Sequence, residues 1–504
     1  MQIGWWSNLY YMNLKNIKKV FFIGIGGIGI SALAKFAIAR GMEVSGVNDE
    51  ESPVTILPLQ NLGAQIFFLN RSQLNATVFK KLPEADLYVY SDAWLNRGPE
   101  IIEQARASQK PVLSYFETLG LFSNEYQVIA IAGTHGKTTT TAMIANIFID
   151  AGLDPTVVVG SFVNKFQSNF RMGHSKYLIV EADEYMRHFL NFKPKILVIT
   201  NIEADHLDYY KNLEDIVSAF SDLAKQTESF VVCNFNDPVV FKIFYDLDLF
   251  KKNVKQYFLG DKKGVQFQNY KATIMDYKIY LSWLPKLNVP GKHNRMNAAA
   301  ALAVANIINT PKFSKIGVAR FLFNLFRPFN FMLSFFNLFG GFFAKTMKAK
   351  LSLENFSGTW RRLEKKGETK DGTIVYDDYA HHPTEIRASL QALRELYPKD
   401  QKKITVLFQP HLYSRTKILF DDFVKSFKDA DQIFLLPIYA AREKPDPSIS
   451  SIILANAIST RGEAARAFSD FEIAQKFIND LVFGPNDIFV TMGAGEANKI
   501  KLLE

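Results

Sequence analysis

The stretch Val128–Met143, reading Val-Ile-Ala-Ile-Ala-Gly-Thr-His-Gly-Lys-Thr-Thr-Thr-Thr-Ala-Met, admits few local structures. Val128 to Ala132 is a short apolar, partly β-branched run of the kind that forms a buried strand, and a helical pattern (Ala142, Met143, Ile144, Ile147, Phe148) opens at Thr138. Gly133, Thr134, His135 and Gly136 are left as the turn between them. A turn at such a junction points its backbone N–H groups and the positive end of the helix at one spot, which makes a receptor for an anion. Lys137 adds a mobile positive charge suited to the outer phosphates of a nucleotide, and Thr138 a hydroxyl suited to Mg²⁺. The stretch departs from the common G-x-x-x-x-G-K-[ST] form, because Ile131 stands where its first glycine would be. A plain strand-to-helix turn containing glycine is the alternative reading of the same residues.

A chain of 504 residues exceeds one ordinary hydrophobic core, so about three domains of roughly 150 residues are expected. With 48% apolar and 22% charged residues it has the composition of a soluble globular enzyme. The single cysteine, Cys233, excludes an internal disulfide framework and a multi-cysteine metal site, and it reads as a small buried hydrophobe in a reducing cytoplasm. The net charge of +9 is spread along the chain without a basic block, which favours a phosphate-rich substrate over nucleic acid. Trp5, Trp6, Tyr10 and Tyr11 precede Met12 without the apolar core and small-residue site of a signal peptide.

Upstream, Lys18–Ala34 is again a strand, a glycine turn and a helix start. Gly24, Gly26 and Gly29 satisfy G-x-G-x-x-G, with Gly27 as an additional glycine, so a second diphosphate site is expected. In a dehydrogenase an acid near position 49 would hold the ribose, and Asp49 or Glu50 could serve. Strand-like runs at 43–47, 65–68, 87–91 and 111–114 alternate with helical patterns, which makes the first unit a doubly wound α/β domain ending near Asn124. Further on, the strand-like run 176–181 ends in Glu181-Ala182-Asp183-Glu184-Tyr185, and the run 195–200 ends in Asn201-Ile202-Glu203-Ala204-Asp205-His206. Ligands of parallel sheets lie beyond the carboxyl ends of strands, so Glu181 is expected at a metal shared with Thr138, and His206 at a second metal or a phosphate. Asp183, Glu184, Asp205 and Asp208 read as solvated loop acids. Asn294 and Asn297 suit either the edge of an adenine or a helix cap. The last third carries the pair Arg361-Arg362 and polar residues after three strand-like runs: Asp377 to Glu385, Gln409 to Arg415, and Gly493 to Gly495.

Taken in order, the 133–138 loop, Glu181, the 201–206 run, Pro290-Gly291-Lys292-His293-Asn294 with Asn297, the Arg361-Arg362 pair and Asp378 make the chain resemble the Mur ligases over almost its whole length. The Phe22–Ala34 segment, His381-His382-Pro383-Thr384-Glu385 and the 408–415 run resemble the members that join L-alanine to UDP-N-acetylmuramate. The resemblance implies an α/β protein of three domains. They are a Rossmann-like UDP-sugar domain (1–124), a central P-loop ATPase domain with a mostly parallel sheet (125–355) and a Rossmann-like amino-acid-binding domain (356–504). It implies ATP and Mg²⁺ as cofactors and an acyl-phosphate route to the amide. Lys137 and Arg362 would hold phosphates and, with His206, carry the catalysis. Gly133, Thr134, His135, Gly136 and Thr139 would line the nucleotide. Thr138 and Glu181 would hold one Mg²⁺ and His206 another; Asp378 would take the ribose and Asn294 with Asn297 the adenine. Gly24, Gly26, Gly27 and Gly29 would cradle the UDP diphosphate, and His381 and Arg415 would place the amino acid. Leu412 stands where these members usually carry an arginine, a role that falls to Arg415 or Arg442. The Glu181–Tyr185 ending is also similar to a related ligase that reattaches a recycled tripeptide to the same sugar. A nicotinamide-dependent dehydrogenase would leave the second phosphate loop idle, and a polynucleotide-binding ATPase would leave the 361–385 residues unexplained.

One feature lies outside the resemblance. Phe321–Phe343, within an apolar insertion at about 321–350, is rich in phenylalanine and contains Arg327 and Pro328, which disfavour a spanning helix. Flanking Arg320, Lys345, Lys348 and Lys350 suit an interfacial segment on the inner face of the cytoplasmic membrane; a helical hairpin packed on protein is the alternative.

Overall fold

The computed structural model describes residues 14–69, 82–234, 236–246, 253–257, 284–309, 345–441 and 443–502. The phenylalanine-rich stretch 321–343 and Arg442 lie outside the described residues. No helix among the described residues is long and apolar enough to cross a membrane.

Three sheets carry the chain. The first has the order β3-β2-β1-β4-β5, with β1 Lys19–Ile23, β2 Glu43–Asn48, β3 Gln65–Phe68, β4 Leu87–Tyr90 and β5 Val112–Ser114, all parallel. The second has the order β12-β11-β10-β6-β9-β7-β8. Its strands are β6 Gln127–Ala132, β7 Thr156–Val163, β8 Ser168–Arg171, β9 Tyr177–Glu181, β10 Ile196–Ile199, β11 Phe230–Asn234 and β12 Asn253–Tyr257. Among the described strands of this sheet, only β7 and β8 pair antiparallel. The third has the order β13-β14-β18-β15-β16-β17, with β13 Glu364–Glu368 antiparallel to β14 Ile374–Asp378. Its remaining strands, β15 Lys403–Phe408, β16 Gln432–Leu435, β17 Ala465–Ala467 and β18 Asp487–Met492, run parallel. Parallel strands covered on both faces need continuous apolar runs, and β6, β10 and β18 supply them.

The described chain divides into two compact units. One comprises Met1–Leu287 and Arg295–Phe356, the other Asn288–Asn294 and Ser357–Glu504. The first two sheets thus share a unit, and the reason is a common core. Helix α1 (Ile28–Ala39) packs its Phe36 on Phe170 of β8, with ring centroids 5.3 Å apart and nearly parallel, and edge-on against Phe122 of helix α2 (Tyr115–Ser123). A polar clamp lies beside these rings. Fully buried Asn169 donates to the Ile28 carbonyl (2.6 Å) and the Ser31 hydroxyl (2.9 Å), and accepts from Lys35 Nζ (2.8 Å). Burial lowers the Lys35 ammonium to about 8.

Asn169→Ala would take one of two partners from a buried carbonyl and from a buried amine, leaving Ser31 Oγ on the Ile28 carbonyl (2.8 Å) and Ser168 Oγ on Lys35 (3.2 Å), so it should cost roughly 1–3 kcal/mol in urea unfolding. A loss below about 0.5 kcal/mol would show that the clamp is dispensable.

Candidate functional site

Strand β1 stops at Ile23 and the chain turns through Gly24 at φ 83°, where a Cβ would lie 2.4 Å from the Trp94 indole. Gly27 then caps α1 in extended conformation, so the turn meets a helix N-terminus. The side chain of Asn48, at the end of β2, accepts from Gly26 N–H (3.1 Å). Asp49, the acid a dehydrogenase would need for ribose, is instead turned onto Arg97 (3.3 Å) with its side chain only 3% exposed. That geometry argues against a dinucleotide at this turn.

In the second sheet β6 ends at Ala132 and helix α3 (Lys137–Asp150) starts after Gly136, whose φ of 83° and near contact with Asn297 Oδ1 leave no room for a side chain. The loop is fastened from below by the segment after β10. Thr200 Oγ1 (2.6 Å) and Asn201 Nδ2 (3.0 Å) donate to the His135 carbonyl, and Asn201 Oδ1 accepts from His135 N–H (2.8 Å). With its carbonyl tied down, the loop keeps a single shape. Thr138 and Thr139 begin α3 and are buried.

Lys137 is held by four acceptors: the carbonyls of Gly133 (2.6 Å) and Thr134 (3.2 Å), and both carboxylate oxygens of Glu184 (3.1 and 2.8 Å). Burial, the largest single influence, would lower its ammonium, but Glu184, Asp183 and Glu181 together outweigh it and leave the ammonium above the ordinary value. Glu184 is itself 2% exposed and Asp205 is 9% exposed, so the expectation of solvated loop acids is corrected for both. Asp183, Glu184 and His206 present ligand atoms within 4.8 Å of one another, a donor set of two carboxylates and one imidazole that fits a divalent cation. His206 takes a left-handed φ of 54° and packs its ring 4.9 Å from Tyr185. Glu181 closes β9 opposite Ile131 of β6, and its carboxylate fills the space a side chain at Gly160 would need. Lys137, Thr138, Glu181 and His206 thus gather at the carboxyl ends of β6, β9 and β10. Sequence reading missed Glu184; its only signal was the density of acids in Glu181–Tyr185.

In the other unit Asp378 ends β14 and is 4% exposed. Burial pushes its carboxyl up to about 6, against the hydrogen bond from Ser389 and the charge of Arg362. The paired arginines have separate surroundings. Arg361 is buried on Asp377 (2.8 Å) and the Gly493 carbonyl (2.7 Å), whereas Arg362 is half-buried over the Tyr379 ring, 3.8 Å from Glu385. Helix α4 (Pro383–Leu396) is capped by His382 with Glu385 in a capping box. His381 packs edge-on to His411 at 5.8 Å, with its Nδ1 3.0 Å from the Tyr379 carbonyl. Arg415, 8% exposed, donates to His411 Nδ1 (3.2 Å). Leu412 is buried at φ 71° and its N–H bonds to Tyr439 O. Asn294 and Asn297 lie inside the helix Lys292–Asn309 rather than capping it, and Asn294 Nδ2 donates to Pro290 O (2.7 Å).

Three family models match the chain: the Mur ligase family catalytic domain over residues 19–127, the Mur ligase middle domain over 131–305 and the Mur ligase glutamate ligase domain over 361–495. The UDP-N-acetylmuramate–L-alanine ligase of Clostridium kluyveri is 37% identical over 503 residues, with 97% of each chain covered. That of Clostridium novyi is 37% identical over 495 residues, with 96% of each covered. Among solved structures, the UDP-N-acetylmuramate–alanine ligase of Thermotoga maritima is similar with a TM-score of 0.69 at 25% identity, over 96% of this chain and 97% of that one. A murein peptide ligase of Psychrobacter arcticus, at 21% identity over 96% of this chain and 97% of its own, shares the fold with a TM-score of 0.63.

Removing one partner of the buried Lys137–Glu184 pair strands the other. Glu184→Ala should cost about 3–5 kcal/mol, while Lys137→Met combined with Glu184→Leu should stay within about 2 kcal/mol of the parent in urea unfolding. A single variant as stable as the parent would mean that the pair is not formed.

Proposed function

The chain belongs to the Mur ligase family, and on that premise we propose that it joins UDP-N-acetylmuramate to L-alanine at the expense of ATP. The observation that carries this reading is the near full-length match to ligases of that name, over a chain that builds two glycine turns for anions in one unit. A single-cofactor dehydrogenase would use one such turn. The tripeptide alternative has only the Glu181–Tyr185 ending in its favour.

A carboxylate acylates amines poorly. An oxygen of the sugar's lactyl carboxylate attacks the γ-phosphorus of ATP, ADP leaves, and an acyl phosphate results. The L-alanine nitrogen then attacks the carbonyl carbon, inorganic phosphate leaves with the former carboxylate oxygen, and the nitrogen loses a proton. Both steps gather negative charge, which fixed cations and N–H groups stabilise. Lys137 and Arg362 serve the phosphates, and the amides of the 133–139 loop cradle them. Thr138 and Glu181 would hold one Mg²⁺, and His206 with Asp183 and Glu184 a second; such ions offset phosphate charge when bound. Asp378 takes the ribose, Asn294 and Asn297 the adenine, and His381 and Arg415 the amino acid. Gly24, Gly26, Gly27 and Gly29 receive the UDP diphosphate. Substrates of this kind set the reaction in the cytoplasm.

The test is phosphate release by the purified protein with UDP-N-acetylmuramate, ATP, Mg²⁺ and each amino acid or tripeptide in turn. Release should require the UDP-sugar and a free amino acid, with L-alanine preferred, and Lys137→Ala should lower it by roughly two orders of magnitude or more. Release that is independent of the UDP-sugar would refute the proposal.

A further inference from the structure

The substrate proposed above has to reach from one glycine turn to the other: its diphosphate at Gly24–Gly29, its carboxylate near the acidic end of β9. One side chain of the same unit touches the first point and feels the charges of the second. Tyr115 is the first residue of α2, whose start is fixed by a capping box of Ser114 and Glu117. On one side its ring lies against Gly29, where a Cβ would come within 3.2–3.3 Å of Cζ, Cε1 and the hydroxyl oxygen. The charges that act on its phenol are those of Glu181 and Asp183.

The ring is held firmly. Phe116 meets it edge-on at 4.5 Å and stacks on His188 at 4.2 Å, and His188 Nε2 lies 2.8 Å from Asp92, just beyond β4. His188 is brought there by two consecutive residues in the left-handed region, Met186 (φ 50°) and Arg187 (φ 58°). Strain of that kind at non-glycine residues persists where the surroundings impose it, and it gathers at ligand sites. Among the described residues, the half-buried Tyr115 hydroxyl donates to none. A phenol, whose ordinary pKa is about 10, is a neutral donor near pH 7.

We propose that the Tyr115 hydroxyl is the donor that receives the lactyl carboxylate of the UDP-sugar between the glycine turn and the acidic strand end, and so selects sugars that carry that group. The logic is electrostatic. A carboxylate arriving beside Glu181 and Asp183 is repelled by them, and an uncharged donor at that point offsets the repulsion without competing for their cations. This inference rests on the function proposed above.

Tyr115→Phe keeps the ring on Gly29 and removes only the hydroxyl. Calorimetric binding of UDP, UDP-N-acetylglucosamine and UDP-N-acetylmuramate to parent and variant separates the possibilities. UDP and UDP-N-acetylglucosamine, which lack the lactyl group, should bind within about two-fold of the parent, whereas UDP-N-acetylmuramate should weaken roughly ten- to hundred-fold, as for a lost hydrogen bond to a charged group. KM for ATP and for L-alanine should be unchanged. Equal weakening of all three ligands would make Tyr115 a structural residue, and no change in any would remove it from the site; either result overturns the inference while leaving the ligase reading intact. Failure of the parent to bind UDP-N-acetylmuramate at all would overturn the ligase reading and this inference together.

Discussion

The fastening of the 133–136 loop to the end of β10 is the constraint on which the rest of the first unit depends. Thr200 and Asn201 take up the His135 carbonyl, so the loop cannot flatten back onto the sheet, and the N-terminus of α3 stays open to an anion. Because β10 and β9 flank β6, the same register that holds the loop also sets Glu181 and the 201–206 run around it. Lys137 then has one place to go. Its ammonium lies among two loop carbonyls and the Glu184 carboxylate, a buried cation whose neighbours keep it charged.

The second dependence is between sheets. A substrate that is bound at one glycine turn and activated at another requires the two turns to keep a fixed separation. The shared core supplies that: α1 leads directly out of the first glycine turn and lies on the β7–β8 hairpin of the second sheet through Phe36, Phe170 and the Asn169 clamp. A shift of α1 would therefore disturb the clamp and the diphosphate turn at once. Effects on substrate affinity and on unfolding are expected to travel together at these positions, and apart at Tyr115.

Strands that end in chemistry were legible in the sequence, since an apolar run followed by glycine, acid or histidine is a local signal; β6, β9 and β10 all lie within a residue or two of where that pattern puts them. The β7–β8 hairpin was not legible, because Val157–Val159 is short and Gly160 to Gln167 mixes polar and apolar residues without a period. Glu184 was misjudged for a different reason. Whether a loop acid is solvated or buried is decided by what approaches from elsewhere, here Lys137 and the Tyr210 hydroxyl on its backbone carbonyl. The two adjacent arginines carry the same lesson: tertiary neighbours bury Arg361 on Asp377 and leave Arg362 accessible, and nothing in the dipeptide distinguishes them.

In the function proposed, the sugar carboxylate is phosphorylated before the amine attacks. The most direct test follows oxygen. UDP-N-acetylmuramate labelled with ¹⁸O in the lactyl carboxylate, turned over with ATP and L-alanine, should yield inorganic phosphate carrying one ¹⁸O atom per amide formed. Amide formation that releases unlabelled phosphate would contradict the account, because the phosphoryl group would then have gone to water or to another acceptor.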